Sequence, residues 1–263
     1  MLLALDIGNT SVAIGLFHGE RLDPCWRIST SQERSADEYG VVLRGLLQTA
    51  GLQPDSVSDM AVCCVVPPAV DTIQEMARRH FAVEPFFVGP GVKTGLPILT
   101  DHPQEVGADR IVNAVSALAR HGGPSIVVDF GTATTFDAIS RRGEYLGGAI
   151  APGVDIGAEA LFRHAAKLPR VQIQKPDHVI GRNTVASIQS GLVHGYAALV
   201  DGIVQKMTVE LAPPDGTGVT VLATGGLAPT IAGECTTLQT VEPDLTLDGL
   251  RRIWERNRGT TRC

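Results

Sequence analysis

Two aspartates carry the most chemistry in this 263-residue chain. Each ends an apolar run and is followed, two residues on, by a glycine and then small polar residues. Leu2-Leu3-Ala4-Leu5-Asp6-Ile7-Gly8-Asn9-Thr10 is matched 123 residues later by Ser125-Ile126-Val127-Val128-Asp129-Phe130-Gly131-Thr132-Ala133. The glycine lets the backbone turn sharply and approach an anion, and successive N–H groups then form a nest. Hydroxyls of Thr10, Ser11, Thr132, Thr134 and Thr135 can donate to phosphate oxygens. A carboxylate facing a phosphate repels it, so a cation has to stand between them. No Lys or Arg lies between Asp6 and His18, or between Asp129 and Arg141, which leaves neutralisation to metal ions and backbone dipoles.

Two further stretches add to the pair. Gly107-Ala108-Asp109-Arg110 opens a helix whose apolar face is Ile111, Ala114, Val115 and Leu118, which turns Asp109 away from that face. The acid and its arginine are either a dipole-matched surface pair or a proton acceptor beside a carboxylate clamp. Thr224-Gly225-Gly226 follows a strand at Val219 to Ala223; it is either an ordinary strand–turn–helix joint or a platform for a flat nucleoside. Neither G-x-x-x-x-G-K-[ST] nor G-x-G-x-x-G occurs, and Gly89 to Thr94 lacks the glycine before its lysine.

The elements that must hold these residues alternate as α/β. Strands are predicted at Leu2 to Ile7, Ser11 to Phe17 and Pro24 to Ser29. A helix follows the Ser35-x-x-Glu38 capping box, with Leu43, Leu46, Leu47 and Ala50 on one face. Met60 to Val66 is a strand, Pro67-Pro68 opens a helix, and Glu84 to Val88 is another strand. A helix then runs from beyond Pro103 to about Arg120. The second half repeats the opening hairpin, continues through a glycine-rich stretch (147–157) and a helix near 158–166, and ends in a long helix from about Val185 to Leu211. That helix carries a stripe of small residues (Ser187, Gly191, Gly195, Ala198, Gly202), which either packs on the sheet or meets a second subunit. The repeat divides the chain into two domains, 1–121 and 122–263.

Composition narrows the function classes. The chain is 44% hydrophobic and 19% charged with net charge -6, so nucleic acid is not expected as a partner. No apolar run is long enough for a membrane span, and the opening residues lack the basic stretch of a secretory signal. Five cysteines without C-x-x-C spacing read as reduced thiols of a cytoplasmic protein. Arg251, Arg252, Arg256, Arg258 and Arg262 read as a solvated C-terminal helix.

In order and type, Asp6-Ile7-Gly8-Asn9-Thr10, Gly107-Ala108-Asp109-Arg110, Asp129 to Thr135 and Thr224-Gly225-Gly226 resemble the type III pantothenate kinases. Gly89-Pro90-Gly91, Gly95-Leu96-Pro97-Ile98, Gly147 to Gly153 and the ending from Asp244 to Asn257 resemble that family too. The resemblance implies two duplicated ribonuclease-H-like domains of the actin-like ATPase and sugar kinase superfamily, with a nucleotide cleft between them. It also implies a homodimer that phosphorylates pantothenate with ATP, the first step toward coenzyme A. Carried over, Asp6, Ile7, Gly8, Asn9, Thr10, Ser11, Val12 and Ala13 bind ATP phosphates, with Asp6 near Mg2+. Thr132, Gly225 and Gly226 contact ATP, and Asp129 holds a monovalent cation, K+ or NH4+. Asp109 is the proton acceptor within a substrate-binding Gly107, Ala108, Asp109 and Arg110, joined by Thr184. Thr100 stands where family members often carry an aromatic residue that closes on pantothenate. Two other readings use the same residues: a phosphohydrolase, which attacks phosphate with water, and a non-catalytic nucleotide-binding regulator.

Overall fold

The structure, a computed structural model, describes residues 1–31, 33–211, 216 and 218–258. Arg262 and Cys263 lie outside the described residues.

The opening hairpin is β1 (Leu2–Ile7) and β2 (Ser11–His18), antiparallel, with Asp6 opposite Ala13. β3 (Arg21–Ser29) adds to its outer edge. α1 (Ala36–Thr49) starts on the expected capping box: Ser35 accepts from the Glu38 N–H, and Glu38 reaches back to the Ser35 N–H. β4 (Asp59–Cys64) returns parallel to β1, α2 (Ala69–Phe81) follows the two prolines, and β5 (Phe86–Phe87) closes the sheet in the order β3-β2-β1-β4-β5. α3 (Ala108–His121) comes next.

The second half repeats this plan. β6 (Ser125–Phe130) and β7 (Ala133–Ile139) form a hairpin, and β8 (Tyr145–Pro152) lies outside it. α4 (Val154–His164) and α5 (Thr184–Leu211) follow. β9 (Thr220–Thr224) runs parallel to β6, the short α6 (Ala228–Ile231) comes after it, and β10 (Thr240–Val241) is the edge. The sheet order, β8-β7-β6-β9-β10, copies that of the first sheet. In both β1 and β6, four buried residues are followed by the half-buried aspartate and one more buried residue. The duplication therefore extends to which residue of each strand is left accessible. α7 (Leu245–Asn257) ends the described chain.

Two compact units result, and they do not divide at residue 121. Among the described residues, the first is 1–95, 104–116 and 246–258; the second is 96–103 and 117–245. α7 returns to the first unit because it has partners there. Gly15 leaves room for Leu247, and the Asn257 side chain bonds both backbone groups of Lys93. Each unit has its own core: Leu3, Leu5, Ile14, Leu43, Met60 and Ile73 in the first, and Ile126, Val128, Phe136, Val193, Val200 and Ala223 in the second. Each such side chain other than Ala223, fully buried, contributes about 1.5–3 kcal/mol.

Three expectations need correction. The stretch from Gly147 is a strand: pairing with β7 supplies the order that two glycines withhold. The helix expected near 158–166 begins at Val154. The arginines of α7 do not form one solvated face, because Arg251 is 2% exposed. Its guanidinium bonds Asp248 at 2.8 Å and Glu255 at 2.9 Å, and lies over Phe17. Removing one partner of such a buried pair costs about 3–5 kcal/mol. The small-residue stripe of α5 is exposed along its length. Ile188, Leu192, Val193, Ala197, Val200 and Val204 face the core instead, so the stripe does not pack on the sheet. No described helix is long and apolar enough to cross a membrane.

Candidate functional site

In the first unit, the β1–β2 turn is closed by the Gly8 N–H donating to the Ser11 carbonyl at 3.0 Å. Thr30, just past β3, braces it: its hydroxyl donates to the Gly8 carbonyl at 2.7 Å and its N–H to the Thr10 carbonyl at 3.0 Å. Asn9 and Thr10 are exposed, while Gly8, Ser11 and Ala13 are half-buried. Ile7 and Val12 turn their side chains into the core. Only their backbone can meet a ligand.

One cation was missed. Arg27 on β3 lies opposite Ala13 and its guanidinium donates to the Ser11 hydroxyl at 2.8 Å. The turn is therefore not left to metal ions and dipoles alone; an arginine reaches it from the neighbouring strand. Cross-strand register, invisible in linear spacing, puts it there.

Asp6 is opposite Cys63 in the parallel β1–β4 pair, so the two side chains share a face of the sheet. Burial pushes the Cys63 thiol well above its ordinary range, and the carboxylates of Asp6 and then Asp109 push it further. The first hairpin and the start of α3 belong to the same compact unit. The Asp109 carboxylate folds back to accept the Arg110 N–H at 2.8 Å and fills the space beside Gly107. A Cβ at Gly107 would meet that carboxylate, so a larger residue there would require the Asp109 side chain to shift. On the same face of α3 as Asp109, Asn113 and Ser116 are buried, so the helix is enclosed on its polar side too.

The thiols report on this packing. Burial also pushes Cys235 up, to about 12, with Asp201 and Glu234 contributing. Cys25 is exposed. A thiolate-selective reagent at pH 8 is expected to modify Cys25 in the folded protein and to spare Cys63 and Cys235 until denaturant is added, as read by peptide mass spectrometry. Rapid labelling of Cys63 in the native state would contradict its placement beside Asp6.

In the second unit, the Gly131 N–H donates to the Ala133 carbonyl at 3.1 Å, and Asp129 faces Thr135 on one side and Thr224 on the other. This turn is one residue shorter than its counterpart. Thr132 is exposed at its tip, whereas Thr134 is buried and turns its hydroxyl into the core, away from any phosphate. Gly225 has φ +95°. A Cβ there would strike the Asp129 Oδ1 and the Phe130 carbonyl, so the glycine is what allows β9 to end against Asp129. Gly226 is exposed and faces open space. The structure therefore brings Asp129, Thr132, Gly225 and Gly226 to one end of the second sheet. The Asp129 carboxylate and the Phe130 carbonyl stand beside Gly225, oxygen donors of the kind a hard cation can take.

Thr100 belongs to the 96–103 segment, pinned to β8 by backbone bonds from Tyr145 to Pro97 and from Leu99 to Tyr145. Its Oγ1 is buried without a hydrogen-bond partner. Thr184 lies elsewhere in that unit, at the start of α5, lining a cavity of about 510 Å³ with Leu161, Gly191 and Tyr196.

Paired sheets of this order, each with an aspartate near the end of its first strand, define a duplicated ribonuclease-H-like fold. Two solved structures share it. A conserved protein of Campylobacter jejuni described as a Baf family transcriptional activator superposes with TM-score 0.60 at 18% identity, covering 98% of this chain and 99% of its own. Component A of the (R)-2-hydroxyglutaryl-CoA dehydratase of Acidaminococcus fermentans gives 0.54 at 12% identity, covering 96% and 95%. At such identities the likeness is one of fold. The chain belongs to the type III pantothenate kinases: residues 2–206 match that family. Relatives named type III pantothenate kinase are 59% identical in an Anaeromyxobacter species (98% of this chain, 100% of the relative) and 55% identical in Myxococcus xanthus (98% and 99%). One from Streptomyces coelicolor is 53% identical, covering 98% of each.

Proposed function

We propose that this chain transfers the γ-phosphate of ATP to the hydroxyl of pantothenate, giving 4'-phosphopantothenate for coenzyme A synthesis. The observation that supports this reading is the family match over residues 2–206, with Asp6 in β1 and Asp109 at the start of α3 in one compact unit. Phosphoryl transfer passes through a loose transition state, and needs positioning and charge neutralisation more than a strong base. The Gly8 to Ser11 turn, with Arg27 on its hydroxyl, cradles phosphates of ATP. Asp109 accepts the proton of the pantothenate hydroxyl and orients its oxygen, while Arg110 pairs with the pantothenate carboxylate. Gly226 offers bare backbone to the nucleoside. Thr100 takes part in substrate binding through the 96–103 segment, and Thr184 at the start of α5.

Asp6 would hold Mg2+ and Asp129 a monovalent cation; such ions supply positive charge against the phosphates. Exchange of K+ for Na+ is expected to lower turnover severalfold, because the smaller ion fits oxygens set for a larger one less well. Equal rates in both salts would remove the site at Asp129. The exposed small-residue stripe of α5 favours a homodimer through close helix contact, and the thiols favour a cytoplasmic setting.

ADP release from ATP, with and without pantothenate, tests the reading against its rivals. The kinase releases ADP only when pantothenate is present. Release without pantothenate would mark a phosphohydrolase; no release under either condition would mark a nucleotide binder.

A further inference from the structure

α3 and α7 meet along the face of α3 that bears Asp109. Residues 109, 112, 113 and 116 fall on one stripe of a helix, at offsets of three, four and seven. Beyond Asp109 every member of the stripe is 0–1% exposed, although Asn113 and Ser116 are polar. α7 is what covers them. The Thr246 hydroxyl donates to Asn113 Oδ1 at 2.7 Å, and the Ser116 hydroxyl donates to Asp248 Oδ2 at 2.7 Å. On the same stripe Gly249 lies so close to the Val112 carbonyl that a Cβ would collide with it. Asp248 is itself fixed by Arg251 at 2.8 Å and Arg252 at 2.7 Å.

We infer that α7 is a positioning element for the reaction: Thr246 and Ser116 are positioning residues that set the rotation of α3 and so the place of the Asp109 carboxylate. This rests on Asp109 being the proton acceptor. Apolar side chains would cover a helix as well, but they tolerate sliding and rotation. Two directional bonds, together with a backbone contact too tight for a methyl group, do not. A side-chain tip rides about 5–6 Å from a helix axis, so a rotation of roughly 10° displaces it by about 1 Å. A misplacement of that size is enough to cost about 100-fold in rate.

The test combines Ser116→Ala with Thr246→Val. Each removes one hydroxyl and leaves the Asp248–Arg251 pair intact, so the protein remains folded. Steady-state kinetics and Tm are measured in the wild-type and Asp109→Asn backgrounds. In the wild-type background kcat is expected to fall about 10- to 100-fold with KM for ATP unchanged. In the Asp109→Asn background the same pair of changes should alter the residual kcat less than about twofold, because the group they position is already gone. A purely structural role predicts a lower Tm with kcat preserved, or equal losses in both backgrounds; either result overturns the inference. If Asp109→Asn alone retained normal turnover, the proton-acceptor assignment would fall and this role with it. Lost turnover in Asp109→Asn, beside normal kcat in the α7-contact variant, overturns the positioning role alone.

Discussion

Asp109→Asn is expected to lower kcat for pantothenate phosphorylation by about 100- to 10,000-fold, the range over which a positioned proton acceptor contributes. In barrier height that is about 3–5 kcal/mol. The substitution is close to isosteric, and the new amide keeps an oxygen that can accept the Arg110 N–H now bonded to Asp109 at 2.8 Å. The start of α3 and the fit beside Gly107 should therefore survive, and circular dichroism and Tm should match the parent. KM for ATP should hold, because the phosphate turn lies on β1 and β2. Near-normal turnover would contradict the assignment of Asp109.

Asp6→Asn is expected to cut kcat about 100-fold or more and to raise the Mg2+ concentration needed for half-maximal rate. Asp6, one residue before the end of β1, is the half-buried member of an otherwise buried strand. Its replacement removes a negative charge from beside the buried Cys63 thiol while leaving the strand's packing untouched. The fold should hold, and the thiol should titrate at lower pH than in the parent, because one of the carboxylates that raise it is gone. The loss arises because a neutral amide is a poor partner for a divalent cation. Unchanged Mg2+ dependence would exclude Asp6 from holding the metal.

Much of the site was legible because the chain repeats itself. One strand ending in Asp-x-Gly is an ordinary hairpin; two of them 123 residues apart announce duplicated sheets, and the shared burial pattern of β1 and β6 follows from that. The capping box at Ser35 was legible for a local reason, since its partner stands three residues away. What escaped depends on neighbours distant in sequence. Arg27 reaches the β1–β2 turn only through β2–β3 register. Arg251 looked solvated because its surroundings include Phe17 and Asp248, and the latter is bonded to Ser116, 132 residues away. β8 was obscured by glycines, whose strand propensity is poor until a partner strand orders them. In α5 apolar and small residues occur on every face, so composition could not say which side turned inward; the core of the second unit decides it.

Incubating the protein with ATP, Mg2+, K+ and pantothenate, and following the phosphorus by 31P NMR, tests the central claim most directly. The account predicts a phosphomonoester on the pantothenate hydroxyl, accumulating mole for mole with ADP and absent when Asp109 is Asn. Inorganic phosphate appearing while pantothenate stays unmodified, or ATP remaining intact, would contradict it.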